Sequence, residues 1–310
     1  MNIEIEMRII FALSCFQLAI LITYGISCYL AFHPNQSKAL EESEKGLSNL
    51  FNWLNEATLL GFLKKMLVIA LFMSAVLLFI YNLPQIPIKS NSTVTSISPF
   101  KFLIIFNTLV ASATLSQYLA DIFHLEQVPK FRIFLNIVIF ALTNAWIMFP
   151  NWLTIDAAAL AMGVMLLVQF RSISFRGTIL LSFAVMLYDA IAVFGTRIMQ
   201  KAAGGFMELP ILLKVPSSLA LSAQPIIHIG LGDIVLPGVI VMMAMRESRN
   251  NSKSSLFTAA MVGYVVGFII TILVMAIFQF PQPATIYLMP CTLLCFIYSA
   301  WKNNILKNIC

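Results

Sequence analysis

"IHIGLGDIVLPGVIVMMAM", Ile227 to Met245, is apolar enough to lie in a lipid bilayer, yet it contains an aspartate, Asp233. Two glycines, Gly230 and Gly232, come just before it. An ionisable side chain held at membrane depth is costly, so an acid kept there is a functional candidate. The decision is whether the surrounding chain is membrane-embedded and whether Asp233 has a partner.

Composition answers the first question. Of 310 residues, 60% are hydrophobic and 10% charged, against roughly 25% charged in soluble domains. A soluble fold of this length cannot hide that much apolar surface, so the chain reads as a polytopic all-α membrane protein. The net charge of +6 needs no nucleic-acid partner, because the basic residues fall in loops between apolar runs. Cys15, Cys28, Cys291, Cys295 and Cys310 are scattered. They read as small packing residues, with neither a metal set nor a cofactor implied. The first apolar run, from Ile9 to about Phe32, is too long for a signal h-region and reads as a signal anchor.

Apolar runs of about 20 residues suit ~30 Å of hydrocarbon. They place spans near 9–32, 66–83, 100–124, 133–149, 152–170, 176–198, 226–246, 256–279 and 284–301, about nine in all. Residues 1–150 then hold about four N-terminal spans, and 151–310 hold about five. With the N-terminus outside, most Lys and Arg residues fall on the inner side, among them Lys64, Lys65, Lys130, Arg132, Arg171, Arg176, Arg246, Arg249 and Lys253. That asymmetry predicts an outer N-terminus and an inner C-terminus. The sequon at Asn91 then faces outside and the one at Asn35 inside. Leu47, Leu50, Phe51 and Leu54 share a helical face that either lies on the membrane surface or extends the second span.

The chain has four aspartates, Asp121, Asp156, Asp189 and Asp233. Asp121 and Asp156 lie near span ends and read as interfacial or structural acids. Asp189, in "LSFAVMLYDAIAVFGT" (Leu181 to Thr196), lies ~10 Å from the outer edge of its span, and Asp233 lies ~12 Å deep in the next. Consecutive helices run antiparallel, so the two acids arrive at similar depth. Either they form a pair or each is a separately hydrogen-bonded structural acid. Two close carboxylates in a low dielectric share one proton. The ionised member can take a proton from water while the protonated member polarises a carbonyl, which is the arrangement of an aspartic protease. Gly230 and Gly232 remove bulk beside Asp233, either to let a helix or an extended substrate come close or as ordinary tight helix packing. A third stretch, "QFPQPATIYLMP" (Gln279 to Pro290), interrupts the apolar pattern with Pro281 and Pro283 just before the last span.

Taken in order, Tyr188-Asp189, Gly230-Leu231-Gly232-Asp233 and Pro283-Ala284-Thr285 resemble the YD, GxGD and PAL motifs of intramembrane aspartyl proteases, the presenilin and signal peptide peptidase clan. Pro237-Gly238 after the second motif, Gln282 before the third and "NWLTIDAAALAMGV" (Asn151 to Val164) are similar to the signal peptide peptidase branch. The resemblance implies nine spans, an N-terminus in the lumen or outside and, for a eukaryotic chain, an endomembrane location. It implies Asp189 and Asp233 as the catalytic pair. Tyr188, Gly230, Leu231, Gly232, Pro283, Ala284 and Thr285 are implied to shape the site. It further implies hydrolysis within transmembrane helical substrates, such as signal peptides or type II membrane proteins. The family motif ends in leucine; Thr285 is shorter and carries a hydroxyl, which changes packing against the catalytic helices. The C-terminus lacks a double-lysine retrieval signal, so the compartment stays open, as does homo-oligomerisation. Competing readings are a proton-coupled transporter or leak channel, and an inactive homologue that binds clients. The connection "MELPILLKVP" (Met207 to Pro216) reads either as a strand or lid near the pair or as an interfacial loop.

Overall fold

The computed structural model describes residues 68, 86–90, 93–97, 99–122, 129–191, 209–216, 225–253, 255–278 and 283–309. The first span, the greater part of the second, the Asn35 and Asn91 sequons, the 47–54 segment, residues 192–198 of the sixth span, and Cys15, Cys28, Cys310 and Gln282 lie outside them.

A short hairpin, β1 (Ile86–Ser90) with β2 (Thr93–Ile97), leads into the helical body. The helices are α1 (Pro99–Ile122), α2 (Pro129–Asn144), α3 (Trp152–Gln169) and α4 (Phe175–Ala190). After β3 (Leu212–Pro216) and β4 (Pro225–Gly230) come α5 (Gly232–Asn250), α6 (Ser255–Phe278), α7 (Thr285–Lys302) and the single turn α8 (Leu306–Ile309). The described chain is therefore mostly helical. Among the described residues, three stretches are long and apolar enough to cross a membrane: Lys130–Ile147, Trp152–Gln169 and Ser255–Phe278.

The chain turns between α2 and α3 through a 3-10 turn at Ala145–Ile147 and then Pro150. Asn151 caps α3 by accepting from the Thr154 backbone N–H, while Thr154 Oγ1 accepts from the Asn151 N–H. This reciprocal box satisfies two donors that a helix start leaves open, so α3 begins where the sequence places the fifth span.

α5 is the centre of the bundle. It packs against α3, α4, α6 and α7, and Ile234, Ile240, Val241, Met242, Met243 and Ala244 along it are fully buried. Its middle, Ile234 to Ala244, is apolar on all sides and has to be enclosed by other helices. By contrast, α2 turns Phe131, Phe134, Ile137 and Phe140 outward, and α6 turns out Val262, Ile269 and Leu273. On an integral membrane protein such faces meet lipid rather than water.

α6 and α7 pack most intimately. A Cβ on Gly263 would sit 2.5 Å from the Cys291 carbonyl oxygen and 2.8 Å from Thr292 Cα; one on Gly267 would sit 2.9 Å from Leu288 Cα. The two glycines, four residues apart, form a groove that the α7 backbone enters, as small residues do between membrane helices. Cys291 and Cys295 line this seam as free thiols, in keeping with their reading as packing residues. The far ends are tied by Ser299 Oγ donating to the Ser255 carbonyl at 3.2 Å.

One boundary differs from the sequence expectation. The seventh span is expected over 226–246, but 225–230 is strand β4, and the helix runs 232–250. Both conformations are apolar here, and hydropathy does not separate a buried strand from a helix segment when they abut.

Candidate active site

Three helices converge on the site: α4 with Asp189 near its C-terminal end, α5 with Asp233 in its first turn, and α7 with Thr285 as its first residue. Each pair among them is in packing contact. The acids lie at opposite ends of their helices in chain order, so antiparallel packing brings those two ends together. Asp233 is reached through a strand rather than through two helical turns, so the level is set by helix ends and not by a count of residues along a continuous span.

Asp189 is buried at 7% exposure, and Asp233 is half-buried. The two are close enough to interact electrostatically. The Thr285 hydroxyl donates to Asp189 Oδ2. The Gly230 backbone hydrogen-bonds to the Asp233 carboxylate. Each acid thus has a donor of its own. Tyr188 is buried beside Asp189.

Gly230 serves the aspartate directly. A Cβ there would lie 3.3 Å from Asp233 Oδ2, tighter than ordinary contact, whereas one on Gly232 would meet only Leu236 Cδ1 at 3.8 Å. Leu231, between them, is buried. Its Cδ1 fills the space beside Gly163 of α3, 3.2 Å from where a Cβ would stand. Gly163 is a supporting residue that the sequence reading does not single out; a small residue mid-helix is the available signal. Pro237 has no N–H for the Asp233 carbonyl four residues back, so the first turn of α5 has one helix bond fewer at the site.

The strand reading of the 207–216 segment holds over β3. β3 and β4 pair antiparallel, with Leu213 opposite Ile229 and Lys214 opposite His228. Leu231 N–H then donates to the Ile211 carbonyl at 2.8 Å, so the sheet runs directly into the GxGD-like turn. Asp156 Oδ1 accepts from the Lys214 backbone N–H at 2.8 Å. Asp156 is structural, as expected from its position, and its partner is the hairpin. Asp121 falls in the last turn of α1. His228 is exposed on β4. Pro283 and Ala284 lead into α7 with the carbonyl of Ala284 accepting from the N–H groups of Tyr287 and Leu288, which directs Thr285 inward at 1% exposure. Among the described residues, no group of His, Cys, Asp and Glu is arranged to hold a metal ion.

A family model described as signal peptide peptidase matches residues 47–310. Signal peptide peptidase-like 2B of Gallus gallus is 31% identical over 203 residues, 57% of this chain and 34% of its own length. Signal peptide peptidase-like 2A of Mus musculus is 28% identical over 198 residues, 57% of this chain and 38% of its own. Intramembrane protease 2 of Caenorhabditis elegans is 30% identical over 161 residues, 46% of this chain and 34% of its own. The chain spans about a third of the length of these curated relatives.

Proposed function

We infer that this chain, which belongs to the signal peptide peptidase family, is an intramembrane aspartyl endopeptidase with Asp189 and Asp233 as its catalytic pair. The observation that carries the reading is the meeting of these two acids on packed antiparallel helices, within electrostatic reach of one another. One carboxylate acts ionised, as base toward water. The other acts protonated, as acid toward the scissile carbonyl. Such a dyad needs no metal or cofactor.

A substrate helix hides its carbonyls in hydrogen bonds and must unwind before attack. The β3–β4 hairpin offers a template for the unwound segment. The β3 edge is closed at Lys214 by Asp156. The alternation of an antiparallel pair turns the backbone groups of His228, opposite Lys214, away from β3. Among the described residues β4 has no second strand partner, so an extended peptide adds there by main-chain hydrogen bonds, just upstream of Asp233. Substrates are then transmembrane helical segments entering from the lipid, such as signal peptides or type II membrane proteins. Residues 151–310 form the catalytic core and 1–150 the N-terminal spans, about nine in total. The N-terminus is lumenal, the C-terminus cytosolic, and the protein resides in the endomembrane system.

The test is cleavage of a synthetic transmembrane peptide by the purified, detergent-solubilised full chain, with products mapped by mass spectrometry. Asp189→Ala and Asp233→Ala should each abolish product at equal folded protein level, and the double variant should be no worse, because the two act as one unit. Proteolysis retained in either single variant would sink the reading. Ion flux with no peptide fragments would favour a transporter instead.

A further inference from the structure

The Thr285–Asp189 hydrogen bond joins residues 96 positions apart on two helices. Its side chains are 1% and 7% exposed, so bulk water has little access to replace it. The terminal torsion of an aspartate is broad and only weakly held by its own rotamer preference. The plane of the Asp189 carboxylate is therefore set by what bonds to it. The donor is a stiff one: threonine is branched at Cβ, and Thr285 is the first residue of α7. That helix is in turn seated by backbone contact on Gly263 and Gly267 of α6. Leucine, the residue that ends the motif this segment resembles, has no donor to offer.

We propose that Thr285 is a positioning residue for catalysis: its hydroxyl holds the Asp189 carboxylate, through Oδ2, in the orientation that leaves Oδ1 to Asp233 and the attacking water. It acts on turnover and not on substrate binding. No proton passes through it to the substrate. Among the described residues, the groups facing Asp189 are Asp233 from α5 and Thr285 from α7, with Tyr188 adjacent on its own helix. This proposal rests on the two-aspartate reading above.

The test uses the full chain in detergent and the same transmembrane peptide, with kcat and KM measured separately. Thr285→Val keeps the shape and removes the donor. A hydrogen bond to a charged group translates to about 10- to 100-fold in rate, so kcat should fall by that factor. KM should stay within about twofold, since ground-state binding is untouched. Thr285→Ser, which restores the hydroxyl, should recover most of the rate. Thr285→Leu should resemble Val and not Ser, although it matches the family motif. If thermal melting shows Thr285→Val to be unfolded, Thr285→Ala removes the same donor without a new contact and carries the same expectation. A wild-type kcat in the variant lacking the hydroxyl, a Ser variant as slow as Val, or a loss confined to KM overturns the proposal and leaves the dyad standing. Cleavage that persists in Asp233→Ala, or wild-type protein that does not cleave, overturns the dyad and this proposal with it.

Discussion

At the scale of single residues, the site depends on small differences in space. Gly230 and Gly232 look equivalent in sequence, yet only Gly230 lies against the Asp233 carboxylate. Gly230→Ala should displace that carboxylate by a few tenths of an ångström and slow peptide cleavage by roughly tenfold or more, since misplacement of a reacting group is costly. Gly232→Ala should leave the melting temperature unchanged, because its Cβ meets only an ordinary contact. Melting and cleavage measured on both variants check the contrast; equal loss of activity without loss of stability would mean that substrate, and not Asp233, needs the space. Asp189 and Asp233 were legible as candidates because acids in apolar spans are rare and costly. Thr285 was legible as a departure from a motif, and its shorter side chain suggests altered packing. Its polar role was not legible, because a hydrogen bond across 96 residues has no local sequence signal.

At the scale of elements, helix ends were readable and the hairpin only partly so. The 152–170 and 284–301 expectations fall within two residues of α3 and α7, because capping residues and prolines mark them. β4 was hidden, since "PIIHIG" continues into an equally apolar helix. Its partner β3 was open to reading through bounding prolines. The bond from Asp156 to β3 makes a prediction of its own. Asp156→Ala removes the acceptor of a backbone N–H, worth about 1–3 kcal/mol when the group is left unpaired. Hydrogen exchange in the peptide containing Lys214 should accelerate by about tenfold or more. Asp156→Asn keeps an acceptor oxygen and should exchange nearly as slowly as wild type. Unchanged exchange in the alanine variant would show that the hairpin is held by β-pairing alone.

At the scale of the whole molecule, hydropathy gives the class. Membership in the signal peptide peptidase family makes the chain an integral membrane protein. Orientation rests on the distribution of Lys and Arg. A reporter fused after Cys310 should read cytosolic, and Asn35 should remain unglycosylated in cells; efficient glycan addition at Asn35 would reverse the proposed topology. The arrangement of helices around α5 was not readable, because a helix apolar on every face carries no mark of which neighbour each face meets.

α5 is fastened at both ends. At its start, Leu231 bonds to Ile211 and fills the space beside Gly163. Near its end, the Arg246 guanidinium donates to the carbonyls of Arg171, at 3.3 Å, and Ile173, at 2.7 Å, in the connection between α3 and α4. A rod clamped twice does not slide along its axis. Asp233 is thus carried on the fixed jaw of a vice, with Asp189 and Thr285 on the jaw that faces it.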